Sequence, residues 1–407
     1  MSRLPFNYYW LEGILLSVAT LPLIFPEPIP PLTAVSLLLL ALISSLPLLT
    51  HHRPILPSTP LNLLVLLWLV GLGVSFLITA DPDKTLPQVT RFIASLVIFY
   101  TLVFSLRQRR HLTWFAYGLM GLAALFALVA PFAVQWNLAK GIPIPNAIYD
   151  LFPLLVADAI HPNIMASLMV LLLPLPLAYV LLHWPRRGVA WWLCLAAAVL
   201  PGFILLLTKS RAGYLAAVSG VLIVLWLAHR RALALALLGA AAVAILWLLN
   251  TTDPTLPTTA SSLTNPGTMQ FRLEVWRVAL DMLADFPFTG VGIGAFNNVA
   301  MRLYPLAENN NPGAHNIFLQ VGVDLGFPGL IVYMALLILL VYLAWTSLQT
   351  ARQSQDTTLQ AMLIGALAGI VAYSAHGLLD NGLWSTQVSF VPWLMFALVT
   401  AVHRLKQ

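Results

Sequence analysis

Two kinds of side chain in this sequence are placed to do chemistry: one histidine in a polar turn, and basic residues at the ends of apolar runs. His315 stands in Asn309-Asn310-Asn311-Pro312-Gly313-Ala314-His315-Asn316, immediately before a long apolar segment. An imidazole titrates near pH 6.5 when unperturbed, so it suits a general base at neutral pH. Thr208-Lys209-Ser210-Arg211 joins two apolar runs with almost no loop. Ser210 can cap the second helix, which puts Arg211 in its first turn. A cation at that positive helix end is disfavoured by about 0.3–1 kcal/mol. Lys209 and Arg211 make better sense beside an anion, since free backbone N–H groups and positive charge together form an anion site. The bland alternative is snorkelling to lipid headgroups, and Lys84, Arg91 and Lys140 are read that way.

A helical stretch is expected from Phe271 to Phe286, capped by Thr268. It separates two arginines. Arg277 has Glu274 three residues before it and Asp281 four after, a spacing for surface ion pairs. Arg272, in the expected first turn, has Trp276 four residues on and no acid three or four residues away, so it is available. Guanidinium groups pair with phosphate oxygens in a two-pronged fashion, and Arg211 and Arg272 together suit a diphosphate. Arg302 and Asn316 are secondary candidates, and the partner that orients His315 is open between Asp380 and Glu308. No His-Glu-x-x-His or Gly-x-Ser-x-Gly pattern is present, and the single cysteine, Cys194, cannot build a metal cage. Gly290-Val291-Gly292-Ile293-Gly294 follows no strand–helix pattern and is read as a tight turn, not a nucleotide loop. Asp150 and Asp158 carry no specific glycosidase spacing. Neither metal nor cofactor is expected.

The elements that position these groups follow from composition. The chain has 407 residues, 60% hydrophobic and 8% charged, with a mean hydropathy of +0.89. Soluble domains carry roughly a quarter charged residues, so the fold class is an all-α polytopic membrane protein. The runs are long and continuous, unlike the short alternating segments of a barrel. Spans are expected near 11–26, 32–49, 61–79, 90–106, 112–134, 163–183, 189–207, 212–228, 232–249, 316–345, 359–379 and 388–402. That makes about twelve. The first run contains Glu12 and resembles a signal-peptide core, but its basic flank is only Arg3, so it is read as a span.

The net charge of +6 would suggest nucleic acid in a soluble protein. Here its distribution matters more, and no nucleic-acid partner is expected. Arg107, Arg109, Arg110, Arg230, Arg231 and Arg352 fall at alternate span ends, the positive-inside pattern, with Asp356 the one acidic exception. Both termini are then cytoplasmic. The division expected is nine spans within 1–249 with a smaller periplasmic loop near 136–162, a large periplasmic loop over 250–315, and three spans within 316–407.

At the residues singled out, the sequence resembles the bacterial O-antigen ligase and polymerase superfamily. The likeness is carried by Arg272 … Trp276 … Phe286-Pro287-Phe288-Thr289-Gly290-Val291-Gly292-Ile293-Gly294-Ala295-Phe296 and by Ala314-His315-Asn316-Ile317-Phe318-Leu319 … Gly322 … Gly326 … Gly329-Leu330. Thr208-Lys209-Ser210-Arg211-Ala212-Gly213 and His161-Pro162-Asn163 match weaker patterns. The resemblance implies a glycosyltransferase of the bacterial inner membrane that takes a glycan from undecaprenyl diphosphate at the periplasmic face. In the ligase, the acceptor is a sugar hydroxyl of lipid A–core oligosaccharide; the polymerase and protein O-oligosaccharyltransferase differ in acceptor. The family's histidine falls on His315 and its arginines on Arg211 and Arg272. A transporter is the rival from another class, but its ionisable residues would favour the midplane.

Overall fold

The computed structural model describes residue 35 and residues 57–134, 136, 160–185, 187–230, 266–304 and 313–405. Among these the regular elements are helices: α1 (Asn62–Ile78), α2 (Pro82–Ser105), α3 (Arg109–Ala133), α4 (Pro162–Leu172), α5 (Pro174–Leu182), α6 (Val189–Leu207), α7 (Arg211–Ala228), α8 (Pro266–Asp285), α9 (Phe296–Leu303), α10 (Ile317–Gln353), α11 (Thr357–Gly377) and α12 (Val391–Arg404). Seven helical segments are long and apolar enough to cross a membrane, α4 and α5 counting as one, and α1 and α12 are shorter apolar helices. The expected spans 11–26, 32–49 and 232–249 lie outside the described residues. Of the twelve expected, nine fall on the described residues, as seven long helices and two short ones.

Capping marks where the helices begin. Asp81 accepts from the Lys84 N–H at the start of α2, Asp356 from Leu359 at α11, and Asn316 from Phe318 and Leu319 at α10. Proline at the first helical position starts α2 and α4, where its missing N–H costs nothing. The same logic corrects the expectation for α8. That helix begins at Pro266, so Thr268 lies inside it and Arg272 stands beyond the first turn. A second correction concerns the run 316–345. The chain leaves helical geometry at Gly326 (φ 70°), so α10 is two helical segments joined at a kink followed by Pro328.

The segment α4–α5 is the centre of the bundle, with 83% of its most apolar window buried. It packs against α11, which in turn packs against α7 and α10. Contacts between helices in lipid depend on close approach, since apolar tails offer little hydrophobic drive. A Cβ at Gly369 would sit 2.3 Å from the Leu171 carbonyl oxygen, and one at Gly365 would sit 2.5 Å from the Leu175 Cα. Around this centre, Leu193, Leu206 and Leu215 are each about two-thirds exposed, as a hydrocarbon-facing surface requires.

Helix connectivity gathers Arg107, Arg109, Arg352 and Arg404 at one end of the bundle. There Asp356 meets Arg109 at 2.6 Å, which accounts for the single acid among the basic residues. At the opposite end lie Asp81, Ser210, α8, α9, His315 and Asp380.

Candidate active site

At that second end, a cavity of about 710 Å³ opens between α2, α4, α8, the start of α10 and the segment after α11. His315 and Asp380 both line it. The His315 Nδ1 lies 3.8 Å from Asp380 Oδ2, an ion-pair distance too long for a hydrogen bond. This Nδ1 is buried and has no hydrogen-bond partner among the described residues. The outer ring nitrogen, Nε2, is therefore the one a substrate can use.

Asp380 is 4% exposed and held from two sides. Asn163 Nδ2, from α4, donates to Oδ2 at 2.7 Å, and the Gly382 N–H donates to Oδ1 at 2.9 Å. Burial alone would push its pKa up. His315, His376 and the Gly382 N–H outweigh burial and hold it at about 2, so Asp380 is ionised at neutral pH. His161 caps α4 by accepting the Asn163 N–H at Nδ1 over 3.2 Å, which leaves any neutral-ring proton on Nε2. Burial lowers the His161 pKa, against the pull of Asp380. Of the two carboxylates open from sequence as the partner of His315, Asp380 lies beside it, while Glu308 is outside the described residues.

The remaining candidates are placed as follows. Ser210 does cap α7, accepting the Gly213 N–H at 3.2 Å, and Arg211 is its first residue. Lys209 precedes it in a left-handed conformation, φ 49°. Arg272 is half-buried on α8, adjacent to Phe271, whose ring packs edge-on to His315 at 6.3 Å. Arg302 is exposed in the last turn of α9. Asn316 caps α10 and ties it to α11 through the Leu378 carbonyl at 3.0 Å. None of Lys209, Arg211, Arg272 and Arg302 lines the cavity itself; its cation is Lys84, paired with Asp81 at 3.5 Å.

Two local expectations are overturned. Arg277 is exposed but, among the described residues, forms no ion pair with Glu274 or Asp281, because exposed pairs stabilise too little to hold long side chains in one geometry. Arg91 is 6% exposed and bonds Gln88 at 3.2 Å instead of snorkelling. Lys84 is exposed and also lines the cavity. Lys140, Asp150 and Asp158 lie outside the described residues. The glycine turn is as expected: Gly290, Gly292 and Gly294 all have positive φ and lead into α9 at Phe296.

A family model described as O-Antigen ligase matches residues 196–334. This stretch is thus similar to the O-antigen ligase family, which supports a relation to the O-antigen ligase and polymerase superfamily. Comparison with curated proteins gives no match. The ligase-family stretch contains Lys209, Arg211, Arg272, Arg302, His315 and Asn316, whereas His161, Asn163 and Asp380 come from outside it. The structure closes the cavity only by combining the two.

Sequence reasoning missed several members of this site. Asn163 is visible in the sequence only as part of His161-Pro162-Asn163, with no sign that it holds Asp380. Gln320 and Asp324 carry a signal: an acid inside an apolar helix points to function by default, and Gln320 stands four residues before it on the same face. Trp384, on the cavity wall, carries none.

Proposed function

We propose that this protein is an O-antigen ligase of the bacterial inner membrane. It transfers a glycan from undecaprenyl diphosphate to a sugar hydroxyl of lipid A–core oligosaccharide, at a periplasmic site with both chain termini cytoplasmic. The observation that carries the reading is the His315–Asp380 pair on the wall of a polar cavity at the end of an apolar helix bundle.

In this mechanism His315 Nε2 takes the proton of the acceptor hydroxyl while the acceptor oxygen attacks the anomeric carbon. The bond from that carbon to the diphosphate oxygen breaks, and the electron pair leaves with the diphosphate. Direct displacement inverts the anomeric centre. Asp380, ionised and buried, faces the other ring nitrogen and stabilises the imidazolium that forms. Arg211 and Arg272 balance charge growing on the leaving diphosphate, with Lys209 beside them. A lipid diphosphate is already an activated leaving group, so the reaction needs neither a nucleotide nor a metal ion.

The test is reconstitution of purified protein with lipid-linked glycan and lipid A–core acceptor, followed by product identification. Glycan on the core oligosaccharide supports the ligase. Elongated lipid-linked glycan, or glycan on a protein acceptor, would assign the other branches of the superfamily, and unchanged donor would favour transport.

A further inference from the structure

Beneath the cavity, a buried polar chain connects groups that the reaction described above leaves unused. Asp324 is fully buried in the first segment of α10, before the Gly326 kink. Its Oδ2 accepts the Trp384 indole N–H at 2.7 Å, and its Oδ1 accepts from Gln320 Nε2 at 2.9 Å. The other end of the Gln320 amide, Oε1, accepts the Ala314 backbone N–H at 2.7 Å and Asn381 Nδ2 at 3.4 Å. Ala314 immediately precedes His315, and Asn381 immediately follows Asp380.

The direction of every bond in this chain is fixed. A backbone N–H can only donate, so the Gln320 oxygen must face Ala314 and its NH₂ must face Asp324. An indole N–H also only donates, so both Asp324 oxygens act as acceptors. The carboxylate thereby sets the orientation of the Gln320 amide. That amide oxygen is bonded to both the His315 turn and the Asp380 turn. His315 itself has φ 48°, a left-handed conformation uncommon for a residue with a Cβ. It is pinned between the Ala314 bond on one side and the Asn316 cap on the other.

We infer that Asp324 and Gln320 are positioning residues: a directional strut that sets the His315 backbone and the separation of His315 from Asp380. The inference rests on the His315–Asp380 reading of the site for its catalytic consequence, but the strut's effect on His315 is measurable without turnover. The strut also places Trp384 on the cavity wall, because the same carboxylate holds its indole.

Reversing the strut's polarity tests it. In Asp324→Asn, the carboxamide oxygen stays on Trp384 and its NH₂ meets the Gln320 NH₂, so Gln320 must turn over and oppose the Ala314 N–H. In Gln320→Glu, two carboxylates oppose each other at the site of the present 2.9 Å bond. The double variant restores complementarity: the amide introduced at position 324 donates to the carboxylate introduced at position 320, whose other oxygen accepts from Ala314 and Asn381. Each single variant should lose about tenfold or more in kcat, because a displaced His315 loses its alignment with the acceptor hydroxyl, with donor KM unchanged. The double variant should recover most of that loss. Independently, carbethoxylation of His315 by diethyl pyrocarbonate, followed by mass spectrometry, should change rate in both single variants and return to wild type in the double. All variants are compared as monodisperse full-length protein.

Single variants with wild-type kcat and wild-type His315 modification would overturn the strut. So would a double variant no better than its parents in both measurements. If His315→Ala retains turnover, the proposed base is wrong. The modification rates then still decide whether the strut positions His315.

Discussion

The role given to Asp380 can be tested by removing its charge and little else. In Asp380→Asn an oxygen remains for the Gly382 N–H, and Asn163 can rotate its amide to offer an oxygen to the new NH₂, so the buried bonds survive. What is lost is a negative charge 3.8 Å from His315 Nδ1. At an effective dielectric of about 20, a unit charge pair at that distance is worth about 4 kcal/mol. If the transition state carries an imidazolium, losing this interaction should lower kcat by roughly a thousandfold. Asp380 has its pKa held at about 2, below the ordinary carboxylate value of 3.8. A depressed pKa stabilises the fold above the unfolded value, and that contribution is lost only as pH falls from about 4 toward 2. Between pH 6 and 9, in the range where an imidazole works as a base, Asp380 stays ionised. The carboxyl itself should therefore contribute no limb to the wild-type profile there. The assay is single-turnover transfer in nanodiscs, with donor binding measured separately. A loss below about fivefold, less than 1 kcal/mol, would show that Asp380 does not stabilise the charge on His315.

Five further outcomes are expected. His315→Ala should abolish transfer with undiminished membrane insertion, since the residue lies in a turn before α10 and supports no span. Turnover should persist in excess EDTA without nucleotide; a loss restored by a divalent cation would refute the arginine-only account of the diphosphate. Arg211→Ala and Arg272→Ala should each cost on the order of a hundredfold or more in rate, with Arg272→Lys restoring only part of it. Arg277→Ala, an exposed side chain with no ion pair among the described residues, should stay within about threefold. Gly326→Ala should lower the thermal midpoint sharply, because φ is 70° and a Cβ would lie 2.6 Å from the Phe288 carbonyl carbon. Gly73→Ala, with nothing within 4 Å, is the control.

The helical bundle is legible because apolar length and charge asymmetry are local properties of a sequence. So is the Ser210 cap, where a short polar side chain stands one residue before a helix. The start of α8 is not, because Thr268 and Pro266 both suit the N-terminal region of a helix and only the fold chooses between them. Ion-pair spacing misleads at Arg277, since spacing states what can meet and not whether meeting is favourable in water. Position misleads in the other direction at Arg91, where an arginine near a span end turns inward instead of reaching for headgroups. His315 is visible from its polar turn, yet its partner Asp380 is one of two open choices. Pairing residues so far apart depends on how helices pack.

That packing can be followed atom by atom. Asn316 caps α10 and at the same time donates to the Leu378 carbonyl, a residue 62 positions on, at the end of α11. Gly377, one residue earlier, lies so close to α10 that a Cβ there would stand 2.5 Å from the Ile317 Cγ2. The Ile317 side chain in the first turn of α10 therefore packs directly on the Gly377 backbone in the last turn of α11, which brings the chain after Gly377 down beside His315. Gly382 repeats the device on the other flank: a Cβ would meet the Ser167 hydroxyl of α4 at 1.9 Å. Asp380 lies between these two glycines and reaches His315 on one side and Asn163 on the other. The distance on which the proposed chemistry depends is thus set by two absent side chains, neither of which could itself bind a substrate or carry a proton.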